Sequence, residues 1–151
     1  MSRCIHVLSR QGRTCKVWAA AFFIWCAIVL FSSTSLAGKA SDAAFSGFFV
    51  AHLRRYDSYD LYHRYQVHFL AEKSVHIIMF MVLALLLWRV LPGMPGKGGT
   101  VFLCGALIGC CSELAQVLFP GRDPALRDVL INILGTGIGT AFSFSRSGFQ
   151  R

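Results

Sequence analysis

Four long apolar runs, separated by short polar stretches, constrain this chain more than any other feature. Residues 17–31 carry no charge, and a softer tail of Ser, Thr, Leu and Ala extends that run to Ala37. Residues 75–91 form the second run, with His76 at its start and Arg89 near its end. Residues 100–119 form the third, interrupted by Ser112, Glu113 and Gln116; residues 129–144 form the fourth, with Asn132 one turn in. A bilayer-spanning helix needs about 17–25 such residues at about 1.5 Å each. Inside lipid every backbone polar group must be paired within its own segment, so the runs are helices. Composition points the same way. Of 151 residues, 55% are apolar and 15% charged, and the mean hydropathy is +0.56. A chain this short has too little interior to hide that much apolar surface from water. Disorder, a collagen-like repeat and a disulfide-rich scaffold are excluded.

The net charge of +8 does not signal nucleic acid, because the apolar runs divide the basic residues and no continuous basic face can form. Their distribution sets an orientation instead. Arg3, Arg10, Arg13 and Lys16 precede the first run, Arg89 and Lys97 lie between the second and third, and Arg146 and Arg151 follow the fourth. The connection between the third and fourth runs holds only Arg122 and Arg127. In these short flanks the split is eight to two; the longer segment 38–73 holds five more, which count only partly, and both termini are expected to be cytoplasmic. The expected layout is an all-α polytopic bundle: a basic arm (1–16), a first span (17–37), an outer segment (38–73), a core with three further spans (74–144) and a cytoplasmic tail (145–151).

A basic arm, an apolar run and Ser35-Leu36-Ala37 also fit a signal peptide. The outer segment holds all four tyrosines, Tyr56, Tyr59, Tyr62 and Tyr65, with Phe45, Phe48, Phe49 and Phe69 around them. That composition suits helices lying at the membrane interface. None of the six cysteines falls in the segments assigned outside, and no spacing forms a disulfide framework or a zinc set. No metal and no cofactor are expected. Gly105 and Gly109, and again Gly135 and Gly139, are four apart, a spacing that lets helix backbones approach closely. They predict contact between the third and fourth helices.

The polar residues inside the runs carry the functional reading. Alternating span direction brings Lys73 and His76, Glu113 and Gln116, and Asp128 and Asn132 to the same membrane face, with Arg122, Asp123 and Arg127 in the connection above them. Glu113 precedes Phe119 by six residues, so it lies about 9 Å down its helix. A carboxylate costs about 2.5–3.5 kcal/mol at a span's centre and less near the interface. It must therefore face the bundle and find a partner, for which Arg122 is the first choice and Lys73 and Arg127 the others.

Glu113-x-x-Gln116, Pro120-x-Arg122 and Asp128-x-x-x-Asn132-x-x-Gly135-x-x-x-Gly139, preceded by Lys73-x-x-His76, resemble the VanZ-like family of small bacterial integral membrane proteins. The resemblance covers residues 72–144. It implies a polytopic helical protein of the bacterial inner membrane whose first apolar run stays as an anchor. Relatives often carry Arg before the Lys of the Lys-x-x-His piece; Glu72 stands there in this chain. The family's name-giving member is associated with resistance to teicoplanin, a lipidated glycopeptide that acts on cell-wall precursors at the outer membrane face. No catalytic activity comes with the motif.

Three function classes follow. In the first, the polar set binds an anionic lipid or cell-wall-related headgroup: Lys73, Arg122 and Arg127 contact the anion, while Glu113, Gln116, Asp128 and Asn132 orient them or bond sugars and amides. Membrane lipids, a lipid-linked cell-wall precursor or a glycopeptide are then the partners, and nucleic acid is not. In the second, Glu113 and His76 act as acid and base of a membrane enzyme, although no nucleophile motif or metal set accompanies them. In the third, the polar set pins helices together.

Overall fold

The computed structural model describes residues 2–32, 34, 39, 43–44, 61–119 and 124–148; side-chain surroundings are defined from residue 14 in the first helix, from residue 66 in the second and to residue 147 in the fourth. The described chain is helical, with no strand among the described residues. The helices are α1 (Ser2–Ser32), α2 (Leu61–Val90), α3 (Lys97–Gln116) and α4 (Leu126–Gly148).

Most of the Tyr-rich segment lies outside the described residues, so its interfacial helix is not addressed by the structure. Its last part differs from expectation. Helix α2 begins at Leu61, well before the anticipated entry at residue 74. Residues 61–74 contain no Gly or Pro, so nothing in them breaks a helix running outward from the apolar run. The helix stops at Val90, two residues before Pro92. Gly93 and Gly96 then take φ of 70° and 66°, the left-handed region that side chains disfavour, and they turn the chain into α3. At the other end of the bundle, the Ala125 carbonyl accepts from the amides of Asp128 (2.8 Å) and Val129 (3.3 Å), which starts α4. Asp128 sits in that first turn, where the helix dipole favours a carboxylate.

Glycines set how the helices approach. A Cβ on Gly105 would lie 2.5 Å from the Thr136 side chain, and one on Gly109 would lie 3.0 Å from Asn132 Cβ. The sequence spacing advances on α3 and retreats on α4, so this pair is antiparallel. Gly135 and Gly139 make their closest approach to α2, where the sequence expectation is α3. A Cβ at either would fall 2.5 Å from a backbone oxygen of α2, that of Ile77 or Met81. Here both spacings advance, so α2 and α4 run parallel with their backbones almost touching. The glycine spacing specifies a close approach but not which neighbour makes it.

Helix α1 lies antiparallel to α2. Trp25 Nε1 donates to the Met79 carbonyl (2.9 Å), and Cys15 Sγ lies 3.8 Å from the Val90 carbonyl. Val29 packs with Phe80 and Leu83 in the bundle interior, flanked by Phe22, Trp25 and Ile108. A second cluster joins Ala84, Leu87 and Val101.

The bundle buries a set of polar residues beside its apolar core and is apolar outside. Lys73, Ser112, Glu113, Gln116, Asp128, Asn132, Thr136 and Ser143 are buried, while Leu, Ile, Val and Phe side chains cover the surface of every helix. Three helices, over Thr14–Ser32, Gln66–Val90 and Lys97–Gln116, are long and apolar enough to cross a membrane. Four spans are expected from the sequence, and α4 is not among the three. Its glycines, its buried Asn132, Thr136 and Ser143, and the charged residues at its ends lower its hydropathy. Its outer ridge of Leu126, Leu130, Leu134, Ile138 and Phe142, each four apart, is exposed.

Candidate functional site

The close parallel packing of α2 on α4 places polar residues in facing pairs. Lys73 is level with Asp128, and His76, one turn deeper, is level with Asn132. Lys73 Nζ donates to Asp128 Oδ2 at 2.7 Å, with both side chains largely buried. His76 Nδ1 lies 3.1 Å from Asn132 Oδ1, and Asn132 Nδ2 donates to Glu113 Oε1 at 3.4 Å. Asn132 is 0% exposed and Glu113 2%. A chain of contacts therefore crosses three helices, from His76 on α2 through Asn132 on α4 to Glu113 on α3. An Asn132 amide that donates to Glu113 presents its oxygen to His76, which puts the imidazole proton on Nδ1 and leaves Nε2 for another partner.

The surrounding packing holds this chain in place. Gly109 leaves room for Asn132 Cβ, with the Phe80 ring beside it. Thr136 Oγ1 donates to the Asn132 carbonyl at 2.9 Å. Ser112 is buried, but its hydroxyl donates to its own helix at Gly109 O (2.9 Å), so it is not poised as a nucleophile. Gln116 is buried one turn beyond Glu113.

The sequence leaves Lys73 and Arg127 open as cations for Glu113. The structure gives both to Asp128 instead. Arg127 Nε lies 3.6 Å from Asp128 Oδ1, and Lys73 also has Glu72 Oε2 at 4.0 Å. The reason is depth: Asp128 is at the mouth of the bundle with the cations, whereas Glu113 is below, level with Asn132. Arg122, the first choice, lies outside the described residues, as does Asp123. Phe69 was not singled out from the sequence. Its ring lies 5.4 Å from Lys73 Nζ and 4.5 Å from the Arg127 guanidinium, so one aromatic face serves two cations. Its position four residues before Lys73, on the same helix face, was the available signal.

Two buried carboxylate oxygens, Glu113 Oε2 and Asp128 Oδ1, have no hydrogen-bond partner among the described residues. Buried polar atoms are nearly always paired, so two orphans in one cluster set it apart from ordinary interhelical pairing. Among the described residues no three His, Cys, Asp or Glu side chains converge as metal ligands.

The sequence profile of the VanZ/LLP1 family matches residues 17–146. The chain belongs to the VanZ/LLP1 family. The match takes in α1 from residue 17, α2 and α3 whole and α4 to residue 146, and so extends beyond the stretch from residue 72 that carries the motif resemblance; the apolar part of α1 belongs to the VanZ/LLP1 unit. No curated protein and no solved structure matches the chain.

Proposed function

We propose that this VanZ/LLP1 protein spans the bacterial inner membrane four times, with both termini cytoplasmic, and recognises a polar headgroup at the outer face. Four observations support the topology. The helices alternate in direction, α4 is 23 residues long, its exposed ridge is apolar, and the short flanks at the end that carries both termini hold eight Lys and Arg against two in the short connection at the other end, apart from five in the longer outer segment. The packing of α1 into the core supports its retention as an anchor.

The observation that carries the recognition reading is the pair of buried oxygens, Glu113 Oε2 and Asp128 Oδ1, that accept no hydrogen bond among the described residues. They are acceptors, and they suit hydroxyl or amide donors such as those of a cell-wall-related headgroup. Arg127, more than half exposed, supplies the contact to an anionic part of the same molecule. Gln116 and His76 border the same cluster. A role in teicoplanin susceptibility fits this chemistry, since a lipidated glycopeptide and its precursor target both present such groups at the outer face.

A second reading, interhelical pinning, is favoured by the short Lys73–Asp128 pair. The test separates them. Glu113→Gln is expressed in a susceptible bacterium beside the parent chain, and both teicoplanin susceptibility and membrane protein level are measured. Recognition expects normal protein level with any susceptibility effect of the parent lost. Pinning expects the protein level to fall with the effect.

A further inference from the structure

At the end of the bundle away from the polar cluster, three cations converge from three helices: Arg89 closes α2, Lys97 opens α3 and Arg146 closes α4. They line a cleft of about 580 Å³ whose walls include Trp18, Trp88 and Phe142. Trp18 lies 5.5 Å from the Arg89 guanidinium and Trp88 4.5 Å from Lys97 Nζ, which fixes both charges at the rim. Among the described residues, none of the three cations has a carboxylate within ion-pair distance. Sequence explains why. The nearest acid is sixteen residues from Lys97 (Glu113), seventeen from Arg89 (Glu72) and eighteen from Arg146 (Asp128). Along a helix each separation is about 24 Å or more. Arg89 and Lys97 are also close enough to repel one another.

Backbone geometry adds to the positive field. Helix α3 starts at Gly96 without a side-chain cap, so no side chain satisfies the amides of its first turn. A second cleft, lined by Trp88, Lys97, Gly98 and Gly99, adjoins the first. An orientation preference by itself requires only positive charge somewhere in the flanks. It does not require three cations from three helices around one cleft, with uncapped amides beside them and apolar walls of Leu85, Leu86 and Phe142 running into the bilayer.

We propose that this cleft is a binding site for the phosphate of an anionic phospholipid, held by Arg89, Lys97, Arg146 and the first turn of α3, with the acyl chains along Leu85, Leu86 and Phe142. The phosphate relieves the repulsion between Arg89 and Lys97, and the charge of the headgroup, rather than its shape, sets the preference.

The full chain in detergent provides the test, because Trp18 and Trp88 report on the cleft. Phosphatidylglycerol with brominated acyl chains is titrated against brominated phosphatidylcholine, and tryptophan quenching is followed. The anionic lipid is expected to quench at the lower mole fraction, and each cation removed (Arg89→Gln, Lys97→Gln, Arg146→Gln) should weaken that preference about fivefold, the equivalent of about 1 kcal/mol per basic residue. Lys97→Arg should retain it. A variant with Arg3, Arg10 and Arg13 all changed to Gln should also retain it, since the phosphate is assigned to Arg89, Lys97 and Arg146. Arg146 is exposed, so its substitution gives a folded variant even if the others do not. Equal quenching by the two lipids would overturn the site, as would loss of preference in the arm variant with retention in the cleft variants. Displacement of the lipid by inorganic phosphate at an equal concentration would overturn the assignment to a lipid.

Discussion

The two ends of this bundle handle charge in opposite ways. At the Lys73–Asp128 end, charges of both signs are buried and most are committed to each other across helices. At the Arg89–Lys97–Arg146 end, charges of one sign line an open cleft with no carboxylate partner among the described residues. The protein thus separates two uses of charge. One end pairs it across helices, with two acceptor oxygens left over. The other leaves it free for something outside the chain. Stability should therefore depend on the first set and hardly at all on the second.

Removing one partner from each end gives the largest contrast. Asp128→Ala leaves the Lys73 ammonium buried beside no acceptor at hydrogen-bond distance, a loss of about 3–5 kcal/mol for a fully buried pair. Arg146→Ala removes an exposed cation and should change stability by less than about 0.5 kcal/mol. Thermal unfolding in detergent measures both. In a cycle with Lys73→Met, the double variant with Asp128→Ala should lose less than the sum of the single changes, because the stranded charge is gone. Equal losses at the two ends would dissolve the distinction between them.

Glycine substitutions sharpen the same comparison by a smaller amount. Gly109→Ala places a methyl 3.0 Å from Asn132 Cβ and 3.4 Å from the Phe80 ring, so Asn132 must shift and its contacts to His76 and Glu113 stretch. A loss of about 1–3 kcal/mol is expected, as for overpacking elsewhere. Gly99→Ala meets nothing within 4 Å and should be neutral or slightly stabilising, since Ala is the better helix former. Melting temperatures that fell equally in both variants would mean that the approach at Gly109 is not tight.

These contrasts also mark what was legible in the sequence. That α2 and α4 begin, and α3 ends, at one face follows from counting apolar runs and alternating their direction. Depth was legible too, because six residues of helix put Glu113 below Asp128. Rotation of each helix about its axis was not. The spacing Gly135-x-x-x-Gly139 is the same whether it faces α2 or α3, and the carbonyls of Ile77 and Met81 decide it. Lys73 likewise has three carboxylates in reach on paper, Glu72, Glu113 and Asp128, and only the register of α2 on α4 selects Asp128. The start of α2 was obscured for another reason. A Tyr-rich, charged composition describes an interfacial environment, which says nothing about whether the backbone there is continuous with the next helix. In α4, buried Asp128, Asn132, Thr136 and Ser143 lower the hydropathy along with the charged and Ser residues at its ends, so an average over the whole helix conceals its apolar outer ridge.

Salt gives the smallest effect and separates the ends by whether it acts at all. In detergent at low ionic strength, Arg89 and Lys97 repel across the cleft rim with no acid nearby to compensate. Replacing Arg89 by Gln removes that repulsion, but it also removes the contact with the Trp18 ring. An exposed cation over an aromatic ring contributes about 0.5–1 kcal/mol, so the two changes nearly cancel and the variant should stay within about 0.5 kcal/mol of the parent. Only the repulsion is long-ranged. Added salt shortens the Debye length from about 30 Å at 0.01 M to about 10 Å at 0.1 M, which weakens the repulsion in the parent and leaves the ring contact nearly unchanged. The parent should therefore gain on Arg89→Gln as salt rises. Lys73→Gln behaves differently. Its ion pair is buried at 2.7 Å and poorly screened, so the variant should be less stable than the parent by a margin that salt barely alters. The measurement is the melting temperature of parent and both variants, freed of anionic lipid, across that range of salt. If the Lys73→Gln margin closed with salt as an exposed pair's does, the polar cluster would be open to ions and its mouth accessible to water.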